Sequence, residues 1–492
     1  MKSAATTERV AVSIRRDAIW TALDIFLSAG LAFAFRLVIA RVLAPHDFGV
    51  AAIALSVIAV LQVASDFGLT ATLIQKDEAR VTPKLVNTTF TASLIISVCM
   101  AAVTAFVVAP LAARFYNEPA LAPLLMVLAV NLLPSAFTTV SSAMLFRARR
   151  FRAVAINKIV CAVTAVLAAL VVLLIHPGPW VVVCQAVVSA LIVAVGLTMT
   201  AGWSFRLALE RAHLKEIFGF SSFVLANDLI IALSANSGVF IVGRLIGAGD
   251  AGLYSLAVYV TDTIRQALTS ITNRVTFVHY SINKYDLSYL RQALISALVW
   301  NCRIIFPVMT ALICFGPQLA VHFIGPEWSE MGAVMQWLAL SAMVLAAGGN
   351  TSTLYKALGR PGVDLALLAG SIFALLIPGM ILGATMGGLV GVAIATAVTR
   401  LINNVVRQVL LDRLIGNVWG AAIKAVARLL LMQIPIVAVW FVGRMIFPRA
   451  TWVETFIMSL VAAMIYFVLE FPVAFPGQFK KAKFFLRKIC TL

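Results

Sequence analysis

Arg41-Val-Leu-Ala-Pro-His-Asp47-Phe-Gly49 and Arg244-Leu-Ile-Gly-Ala-Gly-Asp250-Ala-Gly252 carry an arginine, an aspartate and a glycine at one spacing, 203 residues apart. Each stretch separates two apolar runs, so each reads as the short connection between two helices. Asp47 and Asp250 suit the cap of the following helix, and Gly49 and Gly252 suit a tight turn. Two further pairs keep the order. Leu111-Ala112 with Phe115 matches Leu319-Ala320 with Phe323, 208 residues on. Leu145-Phe146-Arg147-Ala148 matches Leu354-Tyr355-Lys356-Ala357, 209 residues on. The matches fall at the ends of the first, third and fourth apolar run of each half. They predict a duplicated unit of six spans. An even number of spans puts both copies the same way up, related by an axis along the membrane normal.

Around these segments the chain is almost wholly apolar. Of its 492 residues 62% are hydrophobic and 12% charged, which leaves no stretch polar enough for a separate soluble domain. Runs of about 20 apolar residues, the length that crosses a bilayer as a helix, recur at 18–43, 48–75, 87–112, 120–145, 154–175, 180–203, 216–246, 251–277, 292–324, 331–355, 363–385, 388–411, 420–446 and 452–475. The expected fold is an all-α integral membrane protein of fourteen helices. Residues 1–212 and 213–413 form two pseudo-symmetric six-helix bundles that rock about a central cleft. Residues 414–492 add two helices and a basic tail. Gly387-x-x-x-Gly391 reads as a helix-packing face.

Charge alternates from loop to loop. Most of the 38 Lys and Arg lie in one set of loops, running from Lys2, Arg9, Arg15 and Arg16 through Arg407, Arg413, Lys424 and Arg428 to the tail at Lys480–Lys488. The opposite set holds Arg41, Arg114, Arg244, Arg444 and Arg449. This is the positive-inside pattern of a multi-pass membrane protein with both termini cytoplasmic. The net charge of +18 therefore reports topology against an anionic leaflet, not nucleic-acid binding. The first span is too long and too charged for a cleaved signal peptide. None of the six cysteines lies in an outer loop, so no disulfide is expected.

Ionisable residues within spans are costly and point to function. Arg36, Arg265, Arg303 and Arg400 lie deep, accompanied by Asp24, Asp66, Asp228, Asp262 and Asp364. Asp262 precedes Arg265 by three residues, so the two share a helix face. Arg36 has no acidic neighbour at that spacing. Arginine stays charged when desolvated and grips phosphate oxygens with a planar fork. Arg36 and Arg265, followed by Arg303 and Arg400, are the candidate contacts for an anionic headgroup. Asn227 is a candidate for sugar hydroxyls, although such residues also bridge helices. Asp24 and Asp66 are the candidate groups for ion or proton coupling. Outer loops are short, which disfavours a membrane glycosyltransferase or polymerase. There is no Walker loop, no metal-ligand spacing and no cofactor motif.

Arg41 to Ala51, Asp66-Phe-Gly-Leu69 with Leu73-Ile-Gln75, Gly243-Arg-Leu-Ile-Gly247 through Tyr254, and Gly388-Leu-Val-Gly391-Val-Ala-Ile-Ala395 carry a resemblance. The chain resembles the multidrug/oligosaccharidyl-lipid/polysaccharide exporter superfamily, in its colanic-acid and succinoglycan exporter branch. The resemblance implies a flippase, not an enzyme. It would move undecaprenyl-diphosphate-linked oligosaccharide repeat units across the cytoplasmic membrane for exopolysaccharide or lipopolysaccharide synthesis. It further implies alternating access around a cationic cavity, contact with membrane lipids, and partnership with a polymerase and a chain-length regulator. An ion-coupled small-molecule exporter and a peptidoglycan-precursor flippase remain open alternatives.

Overall fold

The structure is a computed structural model that describes residues 27–76, 81–203, 205–282, 286–348, 351–416, 418–447 and 452–474. The chain packs as two compact units, the first up to Ser255 and the second from Leu256. The described residues are helices joined by short connections.

The first unit begins with α1 (27–42). It continues through α2 (Pro45–Asp66), α3 (Leu69–Gln75), α4 (Pro83–Val103), α5 (Ala109–Tyr116), α6 (Leu121–Leu128), α7 (Ser135–Arg147), α8 (Phe151–Ile175), α9 (Trp180–Ala201) and α10 (Arg211–Leu245). Helix α11 (Ala248–Ile282) leads into the second unit, which holds α12 (Leu287–Phe323), α13 (Met331–Ala347), α14 (Thr351–Ala357), α15 (Pro361–Ser371), α16 (Ile377–Ile415), α17 (Trp419–Leu431), α18 (Ile434–Ile446) and α19 (Trp452–Ala474).

Ten described helices are long and apolar enough to cross a bilayer. The longest, Gly362–Ile415, contains two of the expected spans. Residues eight apart in a continuous helix are about 12 Å apart. Yet a Cβ on Gly383 would fall 2.4 Å from the carbonyl oxygen of Gly391. The chain folds back at Gly388, whose φ of 56° only glycine adopts readily. The pair that permits close packing is thus Gly383 with Gly391. The expected partner, Gly387, faces open space. With 27–42, α11 and α19, which are helical too, the described helices fall on all fourteen expected spans.

Two spans are interrupted by π-helical turns, Thr104–Val108 and Ile372–Leu376. Each precedes a proline, Pro110 or Pro378, by two residues. Proline lacks an N–H and clashes with the carbonyl four residues back. Widening the turn accommodates the ring without stranding backbone groups in the membrane.

Each unit has its own core. In the first, Leu69 and Leu73 of α3, Leu85 and Phe90 of α4, and Ala136, Val140 and Ala143 of α7 are buried together. In the second, Leu298, Cys302, Ile305 and Phe306 of α12 pack on Ala339 and Ala342 of α13 and on Ala422 and Leu429 of α17. The last helices join this unit through Cys314 and Phe315 of α12 with Ile436, Ala462 and Tyr466.

The duplicated segments meet. A Cβ on Gly49 would lie 1.7 Å from the carbonyl oxygen of Ala248 and 2.8 Å from the Gly252 nitrogen. A Cβ on Gly252 would lie 2.1 Å from the carbonyl oxygen of Pro45 and 3.0 Å from the Gly49 nitrogen. Pro45 and Ala248 are themselves equivalent positions, so the contact is reciprocal, as a local two-fold axis requires. The glycines therefore serve helix-to-helix approach, not the tight turn expected of them. Asp47 is not the cap either. Helix α2 starts after Ala44 with Pro45 in its first turn, and no side chain caps it. Asp47 lies in that first turn, where a negative charge favours the helix dipole. Matching positions also share burial: Ala112 and Ala320, and Leu145 and Leu354.

Candidate functional site

Arg265 and Asp262 form the expected pair on α11, with Nε to Oδ1 at 3.0 Å. Three residues of helix place both side chains on one face. Asp262 engages Nε, and among the described residues the two terminal nitrogens make no hydrogen bond. Both side chains are about one-fifth exposed.

Arg303 has a partner that sequence reasoning missed. The Nε of Arg303 on α12 lies 2.6 Å from Oε1 of Glu470 on α19, and both are largely buried. Docking of α19 on α12 through Tyr466 brings Glu470 there, and the Tyr466 hydroxyl donates to the Arg303 carbonyl at 3.1 Å. The Arg303 guanidinium also stands 5.4 Å from the Trp300 ring centroid. No local spacing signals such a pair.

Arg407, expected among the loop charges that set topology, is instead a buried structural cation. Its Nη1 donates to Oδ1 of Asp364 at 2.6 Å, and the Ser352 hydroxyl donates to Oδ2 of Asp364 at 2.5 Å. The reversal at Gly388 brings α15 and the far end of α16 together and makes this pair possible. Arg400 donates from Nη1 to the Ser341 hydroxyl at 3.1 Å. The carbonyl of Ile415, at the end of α16, accepts from Arg291 at 2.8 Å.

In the first unit, half-buried Arg36 lies 5.8 Å from the Phe48 ring centroid. Asn227 donates from Nδ2 to Oδ1 of its neighbour Asp228 at 3.0 Å, which takes up part of its polarity. Asp66 ends α2, where Phe67 and Gly68 turn left-handed before α3. Its Oδ1 accepts from the hydroxyls of Thr70 and Thr139, each at 2.8 Å. Asp24 lies outside the described residues. Beside Asp66, the buried hydroxyls of Ser65, Ser97 and Ser135 form a triangle with sides of 3.0, 3.2 and 2.8 Å. Arg147 closes the end of α3, donating to the carbonyls of Leu73, Ile74 and Lys76.

Outside the spans, Asp286 caps α12. It accepts from the Ser288 hydroxyl at 2.7 Å and the Tyr289 amide at 3.0 Å. These donors hold its carboxyl below the usual carboxylate range, the Ser288 bond contributing most.

The solved structure of a lipid II flippase, MurJ in an inward closed conformation, superposes with a TM-score of 0.71 over 93% of this chain and 99% of its own, at 12% identity. The eukaryotic MATE transporter AtDTX14 superposes at 0.59 over 85% of this chain and all of its own, at 16% identity. These likenesses establish a shared helical membrane fold. By sequence the chain is 26% identical over 371 residues, 74% of either chain, to the lipopolysaccharide biosynthesis protein WzxC of Escherichia coli. It is likewise 26% identical to the succinoglycan biosynthesis transport protein ExoT of Rhizobium meliloti, over 72% of this chain and 71% of that one. The family model for polysaccharide biosynthesis proteins matches residues 38–333, more than half of the sequence, and the chain belongs to that family.

Proposed function

We propose that this protein flips undecaprenyl-diphosphate-linked oligosaccharide repeat units across the bacterial cytoplasmic membrane, by alternating access and without a catalytic step. The observation that carries this reading is Arg265: a guanidinium deep within a span, oriented through Nε by Asp262, with two nitrogens left to grip a pyrophosphate. Family membership and the succinoglycan transport relative support the cargo class. Arg36 shares the headgroup, and Arg400 and Arg303 contribute less. Arg303 ranks last because a phosphate must first displace the carboxylate of Glu470. Asn227 binds sugar.

The mobile parts are the six-span repeats 1–212 and 213–413, with 414–492 appended. Both termini face the cytoplasm, as the distribution of basic loops supports. A polymerase and a chain-length regulator receive the repeat unit on the far side.

The test is leaflet-resolved lipid analysis in a strain lacking the gene and complemented with variants. Arg265→Ala and Arg36→Ala are expected to leave completed repeat units on the inner leaflet while the protein stays in the membrane. Arg265→Lys keeps charge but loses the fork, so partial export is expected. Normal export in both alanine variants refutes the site.

A further inference from the structure

We infer that the second unit carries a binding site for a zwitterionic phospholipid whose headgroup ends in a primary ammonium, in the groove between α12 and α19. The groove measures about 520 Å³. Its apolar walls include Ile304 and Val308 of α12, Ile436 of α18, and Leu460, Ala463 and Phe467 of α19. Arg303 and Glu470 line the same groove, so both charges belong to its wall.

The two helices run antiparallel. Glu470 meets Arg303, while Ala462 is buried in one cluster with Cys314, further along α12. Both charges therefore lie at one end of the groove, and the rest of it is apolar. From Glu470 to Ser459, which also lines it, α19 rises about 16 Å, against about 15 Å for half the hydrocarbon core. Glu470 stands four residues before the end of α19 at Ala474, about 6 Å along the axis. The groove thus has the length of one leaflet, with its charged end toward a membrane face.

The charged end is incompletely satisfied. Glu470 is only 7% exposed, and its Oε1 faces the Nε of Arg303. Its Oε2 is buried and accepts no hydrogen bond among the described residues. The terminal nitrogens of Arg303 likewise make none there, and the Trp300 ring stands beside the guanidinium. A buried carboxylate oxygen without a donor is costly, so a ligand that brings an N–H group relieves it. The pair is neutral as a whole, and a headgroup with one charge of each sign matches it. A primary ammonium donates to Oε2, and phosphate oxygens accept from the terminal nitrogens of Arg303. The ammonium offsets the carboxylate, so this phosphate, unlike a pyrophosphate alone, reaches Arg303 without displacing Glu470. An anionic headgroup would leave Oε2 unpartnered and set a second negative charge beside it. A choline headgroup has no N–H to give. The acyl chain lies along α19. The site goes beyond the flippase reading and is read out by binding alone, so its failure is separate from failure of that reading.

The test uses the full chain in neutral detergent, titrated with phosphatidylethanolamine, phosphatidylcholine, phosphatidylglycerol or undecaprenyl diphosphate. Bound lipid is counted by native mass spectrometry, and the melting midpoint is followed in parallel. Phosphatidylethanolamine is expected to bind roughly 10-fold more tightly than phosphatidylcholine or phosphatidylglycerol, the effect of one hydrogen bond to a charged group. It should also raise the midpoint. The double variant Arg303→Met, Glu470→Leu removes both charges together, so that neither is stranded. It is expected to bind the three phospholipids alike. Ala463→Trp, which fills the groove and keeps both charges, should abolish the preferred binding. Equal binding of phosphatidylethanolamine and phosphatidylcholine by wild type overturns the proposal. So does a preference for phosphatidylglycerol, or a wild-type preference kept by both variants. Preferential occupancy by undecaprenyl diphosphate also overturns it and would make the groove a cargo site.

Discussion

The two units solve the same problem, polar groups inside a membrane, in opposite ways. The first uses neutral hydroxyls: Ser65, Ser97 and Ser135 bond to one another, and Thr70 and Thr139 hold one oxygen of Asp66. The second uses full charges in pairs: Asp262 with Arg265, Glu470 with Arg303, and Asp364 with Arg407. Hydroxyl contacts are exchanged at small cost, since each net hydrogen bond contributes about 1 kcal/mol. Buried ion pairs act as latches, because removing one partner strands a charge. Among the described residues, deep charge is thus mostly balanced where it lies. A cationic site for cargo therefore depends on which arginines keep a free edge, not on how many there are.

Breaking the second unit's latches should produce the largest effects. Glu470→Ala leaves Arg303 uncompensated, and Asp364→Ala does the same to Arg407. Each is expected to destabilise by about 3–5 kcal/mol, measured by unfolding in detergent micelles. The double replacement Glu470→Leu, Arg303→Met should recover most of that loss. If Glu470→Ala is as stable as wild type, the pair is not a latch.

The reciprocal glycine contact comes next. Gly49→Ala and Gly252→Ala each drive a methyl group into a backbone carbonyl, with an expected cost of about 1–3 kcal/mol. Equal losses support the equivalence of the two copies, and a large loss in only one would break it. Gly178→Ala, which meets open space, is the control.

Within the hydroxyl cluster Ser97→Ala should cost only about 1 kcal/mol, because Ser65 and Ser135 still bond each other at 3.2 Å. A loss approaching that of Glu470→Ala would erase the contrast between the units.

The smallest effect is at Asp286. Its carboxyl is held low in the folded protein, so its contribution is complete above the ordinary carboxylate range and fades as pH falls through the lowered value. Asp286→Ala should remove that part of the acid dependence and leave stability near neutral pH almost pH-independent there.

The fold was largely legible because a membrane span has a blunt signature: length and continuous hydrophobicity leave little room for another reading. The reversal between spans eleven and twelve was legible as a gap between apolar runs. That it needs Gly388 at positive φ was not, since glycine is common throughout this stretch. Asp262–Arg265 could be read because both residues lie on one turn of helix. Glu470–Arg303 and Asp364–Arg407 could not, because tertiary packing alone brings their helices together. Arg407 sits in sequence where a topology charge would, and only its burial separates the two roles. The duplicated Asp-x-Gly segments are equivalent in their contacts, but their local role is not legible, because a glycine needed for helix contact and one needed for a turn look alike in sequence.

The proposed grip of Arg265 on the headgroup of a lipid-linked repeat unit is the step on which translocation depends. The most direct measurement is translocation of radiolabelled undecaprenyl-diphosphate oligosaccharide in vesicles containing the purified full chain, comparing wild type, Arg265→Lys and Arg265→Ala. Rapid translocation by wild type, partial by the lysine variant and none by the folded alanine variant is the predicted result. Full translocation by the alanine variant, or none by wild type, would contradict it.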